Sequence, residues 1–384
     1  MTRLAILCDG TWNTAQAPQP TNVWLLAGAL APRGADGVAQ KGFYIEGVGT
    51  GRGLSDAPSR WVDRWVGGAL GWGLDDNVMD AYRALVRAWS PGDEVFVFGF
   101  SRGAYTARSL GGLLRRAGIL RPEGIARVPE AMELYRRRGD PRTERDAPEM
   151  MAWRARHAPD TPTSAAEVAW RRAKGLPTPP VLRLAFMGVW DTVGALGIPG
   201  HLTTAPLVNR RHQFHDTDLS SMVRRARHAV AIDERRRAYE PTLWTNLPSR
   251  NREEMGLGPG DDPLAPGLDP PYRQDWFPGD HGAVGGGSRE KGLSSLACEW
   301  VAQGAQEAGL AFKPDVLAAI RGAQDPRGAL ETLDRTLISG LLARADRDGP
   351  DDPRSVSSAA RRRIAAIPGY APTTLARVMR WLRP

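Results

Sequence analysis

Short apolar runs alternate with helical patterns along most of this chain. Runs rich in β-branched and aromatic residues predict strands at 4–8, 42–46, 95–98, 181–190, 226–232 and 273–278. Between them, apolar residues at helical spacing predict helices at 22–30, 74–89 and 104–116. Strands that alternate with helices are typical of α/β folds, so we expect a mostly parallel central sheet with helices on both faces.

Some segments break this alternation. Residues 121–180 are poor in strand signal, with helices predicted at 129–137 and 164–173, and 246–272 is rich in Pro, Gly and Asp. We interpret these two as cap or loop insertions, the second a long mobile loop. The charged run 233–237 is predicted to be a solvated or salt-bridged loop, and 345–355 a charged linker.

The C-terminal part is predicted to be helical. Candidate helices lie at 292–308, 314–321, 328–345, 357–366 and 373–382. The expected organisation is a single α/β domain over 1–384, in which 300–384 is a helical C-terminal part.

The stretch 95–104 carries the strongest chemical signal. A predicted strand leads into a G-x-S-x-G pattern with Ser101 at its centre, and a predicted helix begins at Ala104. This context predicts a nucleophile elbow, in which the serine backbone is strained and the hydroxyl projects above the sheet edge. Such a turn requires glycine two residues away on either side. The alternative is a glycine-rich turn with a surface serine.

An acid and a base follow in the order found in α/β-hydrolases. Asp191 comes directly after the predicted strand 181–190, and His281 lies in a glycine-rich loop after the strand 273–278. The alternatives are a turn aspartate and a structural histidine. We predict a triad in which His281 takes the proton of Ser101 while Asp191 orients the imidazole.

Two backbone positions are candidates for an oxyanion hole. The N–H of Arg102 follows the predicted nucleophile, and the loop after the first strand offers a second N–H at Gly10 or Thr11. Donors at these places would stabilise the charge that develops on a carbonyl oxygen. An ordinary Asp-Gly turn is the alternative for this loop. Together these residues predict serine hydrolysis of a carboxylic ester.

Composition narrows the possible partners. The net charge is +8, and arginine supplies most of the cations, which a coding bias toward arginine explains; the alternative is attraction to an anionic surface, either a membrane or a nucleic acid. No helix-turn-helix, zinc-finger or RNA-binding signature occurs, so no nucleic-acid partner is expected. The glycine-rich stretch 47–53 matches no nucleotide-binding pattern, and Cys8 and Cys298 form no metal motif. We expect neither a metal nor a cofactor.

The sequence also bears on localisation. The apolar core of the first ten residues is too short for a signal peptide. No run approaches the roughly 18 apolar residues that a membrane span needs. We expect a cytoplasmic protein, unless a dedicated secretion system exports it.

Five ordered motifs give the chain a family resemblance. They lie at 9–13, 47–50, 99–104, 188–194 and 276–287. The chain from residue 2 to near residue 300 resembles the type VI secretion phospholipase effector-like α/β-hydrolases, and the resemblance continues weakly to residues 370–372. The resemblance implies a Ser-Asp-His triad at Ser101, Asp191 and His281, and ester hydrolysis with phospholipids as the substrate class. It also makes a secretion-system or immunity protein a candidate partner.

One motif departs from the family pattern. The histidine loop of the family reads His-x-Asp-x-Gly-Gly, and Ala283 stands here at the Asp position. This departure hints at one alternative, a catalytically degenerate hydrolase fold that acts as a binding module. A soluble short-chain carboxylesterase is a separate alternative that concerns the substrate class.

Overall fold

A parallel sheet forms the centre of the protein. The computed structural model describes residues 1–11, 13, 17–47, 70–137, 140–194, 218–330 and 345–383. Within these residues one sheet has the strands β1 Thr2–Cys8, β2 Ala39–Ile45, β3 Glu94–Phe100, β4 Leu184–Trp190, β5 Val223–Ala231 and β6 Tyr272–Phe277. Their order is β2-β1-β3-β4-β5-β6, and every neighbouring pair is parallel. The predicted α/β class and parallel sheet are confirmed.

Helices connect and cover the strands. In chain order the α-helices of the described residues are α1 Asn22–Ala29, α2 Leu70–Ala88, α3 Arg102–Ala117, α4 Val128–Arg136, α5 Pro148–His157, α6 Ala165–Ala173, α7 Leu247–Met255, α8 His281–Gly285, α9 Gly292–Glu307, α10 Pro314–Gly322 and α11 Ser358–Ala366. None of these helices is long and apolar enough to cross a lipid bilayer.

Alternation along the strands creates two cores, one on each face of the sheet. Ile6 and Val97 point to one face, where they pack with α2, α3 and α4. Their neighbours Leu7 and Phe98 point to the other face, where they pack with α1, α9 and α10. Because successive side chains of a strand face opposite ways, a strand covered by helices on both faces is apolar throughout. This is why the strand runs are continuous in the sequence.

The C-terminal segment covers the β6 side of the sheet. A third apolar cluster joins Val230 and Trp276 of β5 and β6 to Ala360 and Ile364 of α11. The backbone N–H of residue 357 also donates to Trp276 O at 3.0 Å. The predicted helix 373–382 is instead a pair of short 3-10 turns, Thr373–Leu375 and Met379–Trp381.

The 121–180 segment contains three helices rather than the two predicted. Helices α4 and α6 match the predicted ones, and α5 was missed. Two arginines and a glutamate hold α5 to α6: Glu167 accepts from Arg154 Nε at 2.7 Å and from Arg171 Nη2 at 2.6 Å, and all three side chains are buried. The buried face of α5 consists of Met150, Met151 and Arg154, so a charged residue interrupts its apolar pattern and weakens the helical signal.

The prediction of a loop over 246–272 is wrong in its first third. Helix α7 has Pro248 in its first turn and ends at Gly256, whose φ is +67°. Both features are ordinary helix boundary signals, but they stand in a segment rich in loop-forming residues. Asn251 ties the helix to β6 through two hydrogen bonds with the backbone of Tyr272, at 2.9 and 3.0 Å. Most of the predicted helix 328–345 and of the stretch 47–53 lies outside the described residues.

The sheet has a topological switch between β1 and β3. Strand β2 lies on one side of β1, and β3 lies on its other side, followed by β4. The connections that leave β1 and β3 therefore run in opposite directions along the sheet. Cys8 at the end of β1 pairs with Gly99 near the end of β3. Ligands of open parallel sheets bind at such a crevice, outside the carboxyl ends of the strands.

The buried ion network of α5 and α6 predicts a large effect on stability. Glu167→Ala leaves two arginines buried without their carboxylate and should lower the free energy of unfolding by about 3 to 5 kcal/mol. Glu133→Ala is the control, because Glu133 forms an exposed pair with Arg137 and its loss should change little. Urea denaturation measures both. Equal effects of the two substitutions would contradict the assignment.

Candidate active site

The three residues of the predicted triad meet at the carboxyl edge of the sheet. Ser101 directly follows β3, Asp191 directly follows β4, and His281 lies a few residues after β6. The histidine was expected in a loop, but it is the first residue of the short helix α8. Asp280 caps that helix, since its Oδ1 accepts from the N–H of Ala283 at 2.9 Å.

Ser101 occupies the strained turn that the sequence predicts. Its φ is +57° and its ψ is −122°, a conformation that residues other than glycine seldom adopt. A Cβ on Gly99 would lie 2.4 Å from Gly103 O, and a Cβ on Gly103 would lie 2.2 Å from Cys8 O. Since both clashes involve backbone atoms, only glycine fits at either position. The predicted strand, tight turn and helix are confirmed.

Hydrogen bonds link the three side chains into one chain. The distance from Ser101 Oγ to His281 Nε2 is 2.8 Å, and that from His281 Nδ1 to Asp191 Oδ2 is 2.6 Å. All three residues are buried. The serine and histidine are 180 residues apart in sequence, so the sheet is what brings them together.

Asp191 is surrounded by donors. The residue is fully buried, with a φ of +39°. Its Oδ1 accepts from Ala231 N at 2.9 Å and from Arg347 Nη1 at 2.6 Å. Its Oδ2 accepts from Arg347 Nη2 at 2.9 Å as well as from His281. A buried carboxylate that receives four hydrogen bonds has most of its lone pairs satisfied.

These donors fix the protonation state of the acid. Burial disfavours the charged form of Asp191, but the cation of Arg347 and the hydrogen bond from His281 outweigh it and hold the pKa of the carboxyl well below its usual range. An ionised carboxylate only accepts hydrogen bonds, so His281 Nδ1 must be the donor between them. In the neutral imidazole, Nε2 is then free to accept from the hydroxyl of Ser101.

Aromatic rings and a buried glutamate hold the imidazole. The ring of His281 lies 4.6 Å from that of Phe100 and 4.7 Å from that of Tyr239, measured between centroids. The backbone N–H of His281 donates to Glu234 Oε2 at 3.3 Å. Glu234 is itself buried and paired with Arg236. Of the two alternatives predicted for the run 233–237, a solvated or a salt-bridged loop, the second is therefore correct.

A second histidine supports the loop that carries the acid. His228 Nε2 accepts from the N–H of Thr192, next to Asp191, at 3.2 Å. Its Nδ1 contacts Gln274 Oε1 at 2.9 Å. Burial and the charge of Arg108 lower the pKa of His228 to about 3, so the ring is neutral. The Nδ1 therefore carries the proton and donates to the glutamine.

The loop after β1 lies beside the serine. A Cβ on Gly10 would be 3.3 Å from the Ser101 Cβ, and a Cβ on Gly47 would be 1.7 Å from Gly10 O. Thr11 follows Gly10 in this loop, and its buried hydroxyl has no hydrogen-bond partner within the described residues. The third predicted oxyanion residue, Arg102, begins α3.

Asp9 anchors this loop. Its Oδ2 accepts from Thr21 Oγ1 and from Tyr44 OH, both at 2.6 Å, and its Oδ1 accepts from the N–H of Gly10 at 2.6 Å. The N–H of Gly10 is therefore already engaged by the aspartate. Of the two positions that the sequence left open for a second oxyanion donor, this favours Thr11.

Sequence reasoning missed the residue that pairs with the acid. Arg347 lies in the segment predicted to be a charged linker, and it is 8% exposed. No local signal separates it from the many other arginines of the chain, because its partner is 156 residues away. Within the described residues no cluster of three or more His, Cys, Asp or Glu side chains could hold a metal ion.

A family model matches most of the chain. The model described as "T6SS, Phospholipase effector Tle1-like, catalytic domain" covers residues 2–304, a range that includes Ser101, Asp191 and His281. The chain belongs to this family. The resemblance predicted from the five sequence motifs is thereby confirmed. Arg347 lies beyond the matched range of this Tle1-like chain.

The Tle1-like chain is also similar to several longer proteins. It is 28% identical over 251 residues to the uncharacterized protein YEL023C of Saccharomyces cerevisiae. This aligned stretch covers 63% of this chain and 33% of the yeast protein. An uncharacterized protein from Pseudomonas aeruginosa is 18% identical, with a TM-score of 0.42, over 84% of this chain and 48% of its own. The chain thus spans a third to a half of these relatives.

Two further solved structures are similar to the Tle1-like chain. The Tle1 effector bound to the VgrG spike of the type VI secretion system is 17% identical, with a TM-score of 0.36, over 76% of this chain and 52% of its own. Acyl-protein thioesterase 2 of Zea mays is 11% identical, with a TM-score of 0.25, over 79% of this chain and 93% of its own.

The departure at Ala283 falls on a buried position of this Tle1-like chain. Ala283 is 5% exposed and belongs to the apolar cluster on the α9 face of the sheet. A Cβ on Gly279 would lie 2.5 Å from the Ala283 methyl group. A methyl group in the core therefore stands where the family pattern has a carboxylate.

The tight turn predicts that Gly103→Ala abolishes the site. The added methyl group would push α3 away from β1, which should displace Ser101 and lower the free energy of unfolding by about 2 to 3 kcal/mol. Gly124→Ala is the control, because its nearest neighbour, on Leu120, lies 3.8 Å away. Urea denaturation measures the stability of both variants, and the rate at which a fluorophosphonate probe labels Ser101 measures their sites. A Gly103→Ala protein with the stability and labelling rate of wild type would contradict this geometry.

The neutral, buried His228 predicts a loss of stability in acid. Its pKa is about 3 in the folded protein and about 6.5 when unfolded, so between these pH values only the unfolded chain binds the proton. Acidification then favours unfolding, by up to about 1.4 kcal/mol per pH unit from this residue. In His228→Gln the dependence of the urea midpoint on pH between 6 and 4 should be shallower. An unchanged slope would assign the acid sensitivity elsewhere.

Proposed function

We propose that this protein is a serine hydrolase that cleaves carboxylic esters, with phospholipids or other lipid esters as substrates. The observation that carries the proposal is the hydrogen-bonded chain from Ser101 Oγ through His281 to Asp191, with distances of 2.8 and 2.6 Å. A nucleophile, a base and an orienting acid within hydrogen-bond reach are the arrangement that activates a serine hydroxyl.

In the first step the serine is acylated. As Ser101 Oγ attacks the ester carbonyl carbon, His281 Nε2 takes the hydroxyl proton, and the carbonyl electrons move to the oxygen. The imidazolium that forms is stabilised by the ionised Asp191. Collapse of the tetrahedral intermediate expels the alcohol, which leaves with the proton from His281, and the acyl group stays on the serine.

Backbone donors stabilise the oxyanion of this intermediate. We assign the N–H of Arg102, at the N-terminus of the 16-residue helix α3, and the N–H of Thr11. Gly10 is not assigned because its N–H donates to Asp9. Burial lowers the pKa of the Arg102 guanidinium only to about 10, so this side chain keeps its positive charge.

A water molecule completes the cycle. It attacks the acyl carbonyl while His281 again acts as the base, and the carboxylic acid leaves as Ser101 recovers its proton. The reaction needs no metal or cofactor.

Family membership and charge support a lipid ester as the substrate. The family is described as phospholipase effectors, and the net charge of +8 favours approach to anionic headgroups. The same description names the type VI secretion system. We therefore keep two predictions for this chain: a secretion system exports it from the cytoplasm, and it binds a secretion-system or immunity partner. The complete hydrogen-bonded chain supports an enzyme over a degenerate binding module, in spite of Ala283.

A fluorophosphonate probe tests the serine. We expect the intact mass of the wild-type protein to rise by one probe molecule, and that of Ser101→Ala to stay unchanged. Ester turnover by Ser101→Ala should fall by about 10⁴-fold or more. Labelling of neither protein would overturn the hydrolase proposal and favour the binding module.

A second assay decides the substrate class. Phospholipid vesicles are compared with p-nitrophenyl esters of increasing chain length, with Ser101→Ala as the blank. Turnover of vesicles and long-chain esters is expected. If only the acetate is hydrolysed, the protein is a soluble short-chain carboxylesterase.

A further inference from the structure

Arg347 acts on the reaction through the acid. Resting on the proposed function, we propose that Arg347 is a positioning residue that fixes the carboxylate of Asp191 and offsets part of its charge. The sequence motifs and the family-matched range 2–304 do not include this residue.

The contacts of Arg347 use both terminal nitrogens of its guanidinium group. Arg347 Nη1 and Nη2 donate to the two oxygens of Asp191 at 2.6 and 2.9 Å. The same nitrogens donate to Ala231 O, at 2.8 Å, and to Tyr239 O. A planar fork meets two carboxylate oxygens and two carbonyls at once, which the compact ammonium group of lysine cannot do.

The acid needs this partner because of where it lies. Asp191 is fully buried, and its backbone is in the left-handed region. Without Arg347 its charge would be left with one backbone N–H and the imidazole of His281. A buried carboxylate that loses its cation is strongly destabilised, so Asp191 would shift to improve its remaining hydrogen bonds. Even a small shift would move the acceptor that orients the imidazole.

The segment that carries Arg347 is docked on the loop after β5. Ala345 N donates to Arg235 O at 2.9 Å, and Asp346 pairs with the Arg235 side chain, also at 2.9 Å. The same loop supplies Tyr239, whose ring packs edge-on against His281 and whose carbonyl receives Arg347. The loop after β5 therefore contacts both Arg347 and His281, the two side chains that hydrogen-bond to Asp191.

Arg347 also sets the charge balance at the imidazole. The negative charge of Asp191 favours the protonated imidazole, and the cation of Arg347 opposes it. Its removal should favour the imidazolium, so the acidic limb of the pH–rate profile should move to higher pH. The other titratable or charged groups that face this pair stay in place in the variant: they are Glu234, Arg236, Tyr239 and Asp280 around His281, and His228 and Arg108 behind Asp191.

The main test compares Arg347→Met with wild type. We expect kcat to fall by about 10²-fold while KM changes little, because the buried Arg347 side chain faces Asp191 and its loss misplaces the base. The acidic limb of the pH profile of kcat/KM should shift to higher pH. In Arg347→Lys the acidic limb of the pH–rate profile should keep its wild-type position, but kcat should stay below that of wild type. In Arg347→Ala, added guanidinium at a non-denaturing concentration should restore part of the kcat.

Arg363→Met is the matched control. Arg363 is a buried arginine of the same C-terminal segment, but it donates to Pro326 O and Gly328 O rather than to the acid. This control should leave kcat and the pH limb unchanged in the folded fraction.

A double-mutant cycle keeps the proposal testable if Arg347→Met folds poorly. Asp191→Asn removes the charge that Arg347 serves, so adding Arg347→Met to it should cost little further activity. A full additional loss in that background would overturn the proposal, as would a folded Arg347→Met protein with the kcat and pH limb of wild type. Failure of wild type to react with the fluorophosphonate would instead overturn the proposed hydrolase function itself.

Discussion

A negative charge held inside the protein, at Asp191, is the constraint on which the site depends. The carboxylate has no contact with water, so every part of its stabilisation comes from the fold. The N–H of Ala231 comes from β5, the imidazole from α8 and the guanidinium from the C-terminal segment. Three regions that are distant in sequence must therefore be in place before this one oxygen pair is satisfied.

The parallel sheet makes that convergence feasible. Because all strands run the same way, the residues that follow β3, β4 and β6 emerge at one edge. The positive φ values at Ser101 and Asp191 are the two cases among described residues other than glycine, and both lie at this edge. Backbone strain is thus concentrated where the chemistry is proposed to occur, while the two helix-covered faces supply the rigidity that maintains it.

The sequence predicts the parts of the site that have local causes. Gly99 and Gly103 could be interpreted because the turn they permit is set by five adjacent residues, and the order of Ser101, Asp191 and His281 could be read along the chain. Arg347 could not be found this way, since a single arginine in a charged segment carries no mark of a partner across the fold. Helix α5 was missed for a different reason, because Arg154, which pairs with Glu167 of α6, interrupts the apolar pattern of its buried face.

Arg347 follows the three residues of the proposed triad in the chain, and this order has a consequence for synthesis. A ribosome releases Ser101, Asp191 and His281 well before residue 347, so in a growing chain Asp191 still lacks the guanidinium with which it pairs in the folded protein. The nascent protein therefore cannot assemble the complete charge arrangement until the C-terminal segment has emerged and docked. A hydrolase built in this order would complete its charge arrangement only after residue 347 has left the ribosome, so the timing of C-terminal docking sets when the proposed triad is fully supported.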